Sequence, residues 1–226
     1  MTVIAAGDTT TALAAKAATP SIPIAFTIAA DPVKSGLVAS LNRPGGNVTG
    51  VTNLGRDVEP KRIELLHELV PDATIVGLLV NPTNPNAETQ SKDARAAARS
   101  LGLQIHTLYA STERDFDSAF ASMAQLRVGG LVIGTDSFFS SRSEQLAAAA
   151  LRYLVPAIYQ YREFAAAGGL MSYGGSATDG YRLVGIYTGR ILKDTDRPTA
   201  VHGSTAAIGG AADMNGLAVG WQDNRK

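Results

Sequence analysis

Apolar and polar residues follow one another along this chain in blocks whose lengths separate strands from helices. Short runs that are almost wholly apolar recur at residues 3–7, 22–29 (IPIAFTIA), 73–80 (ATIVGLLV), 131–133 and 156–159 (PAIY). Runs of this length without alternation mark strands buried on both faces, as in parallel sheets. Segments 48–52, 103–109 and 170–173 read as further strands. Between them the period changes to that of helices. In 58–69, Ile63, Leu65, Leu66 and Leu69 are interleaved with Lys61, Arg62, Glu64, His67 and Glu68, an amphipathic helix with a charged outer side. In 113–126, Phe116, Phe120, Met123 and Leu126 fall on one face. Helices are also expected over 12–18, 33–41, the stretch that ends near Leu101 before a capping Gly102, 140–154, 162–167 and 178–193. Strand and helix alternating in this way predict an α/β chain with doubly wound parallel sheets. From about Arg197 onward the chain is rich in Gly and Ala without periodicity and reads as a poorly ordered tail.

The stretch 22–50 organises the reading of function. Its apolar run stops at Asp31-Pro32, where the proline enforces extended backbone on Asp31, and a turn cluster follows at Arg43-Pro44-Gly45-Gly46-Asn47. The carboxyl end of a buried parallel strand is where an open α/β sheet holds ligands. Polar residues recur at such ends: Asp8 with Thr9, Thr10 and Thr11; Ala30-Asp31; Asn81; Asp136-Ser137; and Tyr159-Gln160-Tyr161. Taken singly, each threonine is a helix cap and Asp31 a turn former. Taken together, these groups lie along one edge of each sheet and suit a ligand-holding role. The threonines open a helix whose N-terminus favours a carboxylate or phosphate. Asp31 and Asp136 could meet an ammonium group or act as acids, and Tyr159, Tyr161 and Tyr173 could pack on an apolar ligand moiety or stand in the core.

Composition narrows the options. The 226 residues carry 20 basic and 20 acidic side chains, a net charge of zero, and no long basic cluster, so nucleic acid is not an expected partner. Cysteine is absent, which removes disulfides, thiolate metal sites and a cysteine nucleophile. No run is long and apolar enough to span a bilayer. Asp8 and three threonines break the only stretch that could pass for a signal sequence, so the chain as written reads as lacking an export signal. His67, His106 and His202 have no metal-site spacing, and there is no G-x-S-x-G, phosphate loop or dinucleotide fingerprint. No cofactor or metal is expected, and nothing specific supports an enzyme.

The successions IPIAFTIAADPVKSGLVASLNRPGGNVTGVTNL, KRIELLHELVPDATIVGLLVNP and PAIYQYREFAAAGGLMSYG resemble the substrate-binding proteins of bacterial ABC transporters, of the tryptophan/tyrosine type. The likeness runs from about Val3 to Arg197. It implies a type I periplasmic-binding fold, in which two α/β lobes close on a small organic ligand of amino-acid type. It also implies an extracytoplasmic setting, an ABC permease as partner and no catalysis. Carried over by position, 7–11 and 29–31 form the first lobe's ligand edge. Asn81, Asp136 and Tyr159 form the second lobe's edge, and 48–53 and 170–173, with Tyr173, lie near the hinge crossings.

The resemblance also assigns 1–56 and 170–197 to the first lobe, 57–169 to the second and 198–226 to the tail. Family members have two further strand-helix units before the segment that begins here at Val3, and closing elements after the helix near Lys193. The first lobe is therefore expected to be incomplete, with a bare apolar edge that leaves it loose or self-associating. Without a signal sequence the chain as written would stay in the cytoplasm. Two rival readings remain at this stage: a ligand-sensing module of a transcription regulator, which shares the two-lobe fold, and an α/β enzyme using Asp31 or Asp136 as acid or base.

Overall fold

The computed structural model describes residues 2–41, 43–53 and 58–193; the expected tail and His202 lie outside these. The chain divides into two compact units. One gathers residues up to 53 with the segment from 176 to 193, and the other runs from 58 to 175. Both are α/β, and every paired strand in them is parallel.

In the first unit, β1 (Ile4–Ala6), β2 (Ile24–Ile28) and β3 (Val48–Thr52) form a sheet of order β1-β2-β3. All five residues of β2 are buried, as its unbroken apolar run demands. Ile24, Phe26 and Ile28 point to one face, where Ala12 of α1 (Thr9–Ala18) and Leu37 and Val38 of the β2–β3 connection complete the core. The opposite face is covered by α8 (Ala177–Lys193). β1 has β2 on one side only among the described residues, and Ala5 on it is exposed.

The expected helix over 33–41 does not form. Asp31 Oδ1 accepts from the backbone N–H of Val33 at 2.8 Å and of Lys34 at 3.2 Å, which drives the chain into turns. Gly36 then takes φ of +72°, which ends any helical continuation. The connection still buries Leu37 and Val38, so turns do the packing that the sequence assigned to a helix.

The second unit opens with α2 (Glu59–Leu69) and continues through β4 (Ile75–Val80), α3 (Ala87–Ser100), β5 (Gln104–Tyr109), α4 (Glu113–Gln125) and β6 (Gly130–Ile133). It ends with α5 (Ser137–Ser140), α6 (Ser143–Arg152), β7 (Ala157–Tyr159), α7 (Arg162–Ala166) and β8 (Met171–Ser172). The helix expected over 140–154 is α6, which starts at Ser143, after a separate short helix α5 that ends at Ser140. The sheet order is β5-β4-β6-β7-β8. The chain leaves β4 outward to β5 and returns to build β6, β7 and β8 on the other side. The order reverses between β4 and β6, the position where doubly wound sheets open a crevice at their carboxyl ends. Ile63 and Leu66 of α2, Ala94 and Ala98 of α3, and Val76, Leu78, Val80, Val132 and Ile158 of the sheet pack into one core. β8 pairs with β7 through Ile158–Met171 and Tyr159–Ser172. The segment 170–175 therefore belongs with the second unit, whereas the sequence reading gave it to the first.

Candidate functional site

At the first unit's carboxyl edge, Asp8 and the three threonines serve α1 before anything else. Asp8 is the N-cap: its Oδ1 accepts from the Thr11 backbone N–H at 2.7 Å and from the Thr11 hydroxyl at 2.9 Å. Thr11 is spent in this capping box. The helix N-terminus expected to attract a ligand carboxylate already holds one, that of Asp8. Thr9 and Thr10 occupy the first turn, half-buried and exposed respectively. Ala30 is buried, and its carbonyl accepts from the Thr52 hydroxyl at 3.0 Å, tying the ends of β2 and β3 together. Asp31 closes the turn described above and also faces Lys34, at 3.9 Å. It is a turn former first.

At the second unit's edge the aspartate acts across the sheet. Asp136 follows β6, and its Oδ1 accepts from Phe138 N–H at 2.8 Å and from Asn81 Nδ2 at 3.2 Å. Its Oδ2 accepts from Asn84 Nδ2 at 2.7 Å. Asn81 ends β4, and its own Oδ1 takes the backbone N–H and hydroxyl of Thr83 at 3.0 and 2.8 Å. Two residues that the sequence placed on one edge, Asn81 and Asp136, are thus bonded to each other at the reversal between β4 and β6. Beneath them runs a second polar chain. Gln90 of α3 donates to Glu59 Oε2 at 2.8 Å, Arg62 Nη2 lies 3.5 Å from the same oxygen, and Arg62 also donates to the Thr135 hydroxyl at 3.3 Å. Arg62 is fully buried. Burial pushes its pKa down, while Glu59 and Tyr161 act the other way. Gly134 makes the arrangement fit: a Cβ there would stand 2.6 Å from the Leu79 carbonyl oxygen and 2.8 Å from Gln90 Oε1.

The tyrosines divide. Tyr159 does not line the edge: its ring is fully buried and stacks on Phe164 of α7 at 4.7 Å. The period of β7 explains this, since Ile158 points to the α2–α3 side and Tyr159 to the other. Burial holds its phenol pKa far above the ordinary value, so it stays neutral. Tyr173, just past β8, is half-buried against the α2–α3 core, and its N–H bonds the Tyr159 carbonyl at 3.0 Å. Tyr161 stands buried at the start of α7. Among the described residues no group of three or more His, Cys, Asp or Glu could hold a metal ion.

A family model described as ABC transporter substrate binding protein matches residues 1–208. The chain belongs to this family. The family is one of substrate-binding proteins and not of enzymes. The chain is similar to the tyrosine-binding protein of Clostridioides difficile, with 34% identity over 140 residues; the match takes in 62% of this chain and 39% of that protein. Among solved structures it resembles a conserved domain protein of Vibrio cholerae, with a TM-score of 0.71 and 28% identity over 84% of this chain and 64% of that one. It also shares its fold with a Streptococcus pneumoniae ABC domain in complex with L-Trp, with a TM-score of 0.69, 24% identity and coverage of 90% and 65%. This family member therefore spans less than two thirds of the length of each of these relatives.

What sequence reasoning missed in this family member is the buried polar layer. Arg62 sat among charged residues and read as solvated. Its phase tells otherwise, because Glu59, Arg62, Ile63 and Leu66 lie on the one buried face of α2.

Proposed function

We propose that this chain is the solute-binding component of an ABC importer and takes an aromatic amino acid of the tyrosine/tryptophan kind. The observation that carries the reading is the 34% identity over 140 residues to a tyrosine-binding protein. The site chemistry is compatible with it. Both units present polar strand ends at the carboxyl edge of a parallel sheet, where small ligands are held. In the first unit the groups offered are Thr9, Thr10 and the Ala30–Asp31 corner. In the second they are Asn81 and Asp136 at the ends of β4 and β6, with Tyr173 just past β8. Delivery is to a membrane permease outside the cytoplasm. No helix of the described residues is long and apolar enough to cross a membrane.

Calorimetric titration of the full chain with L-tyrosine, L-tryptophan and L-phenylalanine tests the proposal, with L-leucine and D-glucose as contrasts and mass spectrometry of the recovered ligand. Saturable binding of an aromatic amino acid recovered unchanged is the expected result. Binding confined to another solute class, or chemical conversion of the ligand, overturns it.

A further inference from the structure

The first unit's carboxyl edge carries an aromatic side chain that belongs, in sequence, to its last helix. The first turn of α8 is pressed onto β2: a Cβ at Gly180 would stand 2.7 Å from the Thr27 hydroxyl oxygen. That close approach delivers the next residue, Tyr181, to the end of β1. A Cβ at Gly7 would lie 3.2 Å from Tyr181 Cε1 and 3.6 Å from its hydroxyl oxygen. The phenol end of the ring therefore rests on the bare backbone of Gly7, one residue before the N-cap of α1. Yet Tyr181 is 53% exposed, whereas Tyr159 and Tyr161 are buried. One side of the ring has a seat and much of the rest is open.

The electrostatics of this corner select what could lie on it. Asp8 already places a carboxylate at the start of α1, so a second anion is disfavoured there and a neutral ring is not. Offset or edge-on contact between two rings adds attraction beyond the area it buries. Gly7 supplies the space, since a side chain there would crowd the ring.

We propose that Tyr181 is the first unit's specificity-determining contact, packing its ring against the aromatic side chain of the ligand. The proposal rests on the aromatic amino-acid reading above. It makes α8, and not only the strand ends, part of the binding edge.

The test titrates the full chain and its Tyr181→Phe, Tyr181→Ala and Tyr181→Leu variants with L-tyrosine, and follows the ligand's ring protons by NMR. Tyr181→Ala is expected to weaken binding about threefold to tenfold and to remove the upfield shift that a neighbouring ring imposes on the ligand's ring protons. Tyr181→Phe is expected to keep both. Tyr181→Leu retains apolar packing on Gly7 without a ring and reads the same loss should the alanine variant not fold. Unchanged affinity and shift in the alanine and leucine variants overturn the inference while leaving the parent reading intact. So does equal weakening in Tyr181→Phe. A wild-type chain that binds no aromatic amino acid overturns both.

Discussion

Asp8 and Asp31 in the first unit, and Asp136 in the second, all stand at or just beyond the carboxyl end of a parallel strand, but their partners lie at very different distances along the chain. Asp8 bonds Thr11, three residues on, and Asp31 bonds Val33 and Lys34, two and three residues on. Asp136 bonds Asn84 and Asn81, 52 and 55 residues away. The aspartate corners of the first unit are shaped by local capping, and the Thr52 hydroxyl on the Ala30 carbonyl is the longer tie between its strand ends. The second unit's edge is cross-linked through Asp136 above and through Gln90, Glu59, Arg62 and Thr135 below. The two edges thus differ in how they are held. A capped corner is held by residues two or three positions on, while the cross-linked edge is a platform held by residues far apart in the chain.

If the units are independent, a substitution inside the smaller sheet should leave the platform standing. Gly50→Ala is the severest such change, because its Cβ would stand 2.2 Å from the Phe26 carbonyl oxygen and 2.5 Å from the Phe26 ring. Backbone has no room to give there, and a loss of about 4 kcal/mol is expected. Hydrogen exchange should show β1, β2 and β3 losing protection while β4 and β6 keep theirs. Equal loss in both sheets would break the comparison, since the units would then unfold as one.

The next effect falls on the platform itself. Glu59→Gln takes the carboxylate from a buried guanidinium, and breaking a buried pair in this way costs about 3 kcal/mol. Urea denaturation should show the loss. The double variant Glu59→Leu with Arg62→Met should recover most of it, because it removes both charges at once. A double variant as unstable as the single one would mean that the pair is not what holds the edge.

The cross-link predicts an asymmetry between aspartates that look alike in sequence. Asp8→Ala loses an N-cap, about 1 kcal/mol. Asp136→Ala strips three donors of their acceptor at a largely buried position and should cost about twice that. Equal costs for the two would erase the distinction between local and cross-linked edges.

Much of this architecture was legible from apolar runs alone. IPIAFTIA and ATIVGLLV read as strands covered on both faces, and the structure buries β2 completely and β4 almost completely. Strand-end logic also put Asn81 and Asp136 on one edge. Their bond depends on which strands are neighbours, and strand order is not written in any local pattern. Asp31 was read both as turn former and as ligand group, and the structure shows the turn that it makes. Arg62 was hidden because a charged residue reads as solvated until its helical phase is compared with Ile63 and Leu66. Tyr181 was hidden for a different reason. Its place at the end of β1 arises from the close approach of Gly180 to Thr27, a contact between segments more than 150 residues apart.

The smallest effect distinguishes the two capping boxes. In α1 the acid is the N-cap, Asp8, and the hydroxyl residue Thr11 answers it; in α4 the order is inverted, with Thr112 as N-cap and Asp115 at the third helical position. The backbone N–H groups of Ser111 and Thr112 both donate to Asp115 Oδ2 at 2.8 Å and hold its pKa below the usual carboxylate range, Ser111 foremost. Its folded pKa is depressed relative to the unfolded chain, so the ionised form stabilises the native state. That contribution is complete above the unfolded value of about 3.9 and fades as pH falls through the lower folded value. Asp115→Asn should therefore melt below wild type at neutral pH, with the gap closing as pH is lowered below about 4. Because Asp115 is solvent-accessible the gap is small, and added salt should shrink it further. Melting curves of both proteins between neutral and strongly acidic pH measure it. A gap of constant size across that range would mean that Asp115 acts through packing, and that the inverted box of α4 owes nothing to its charge.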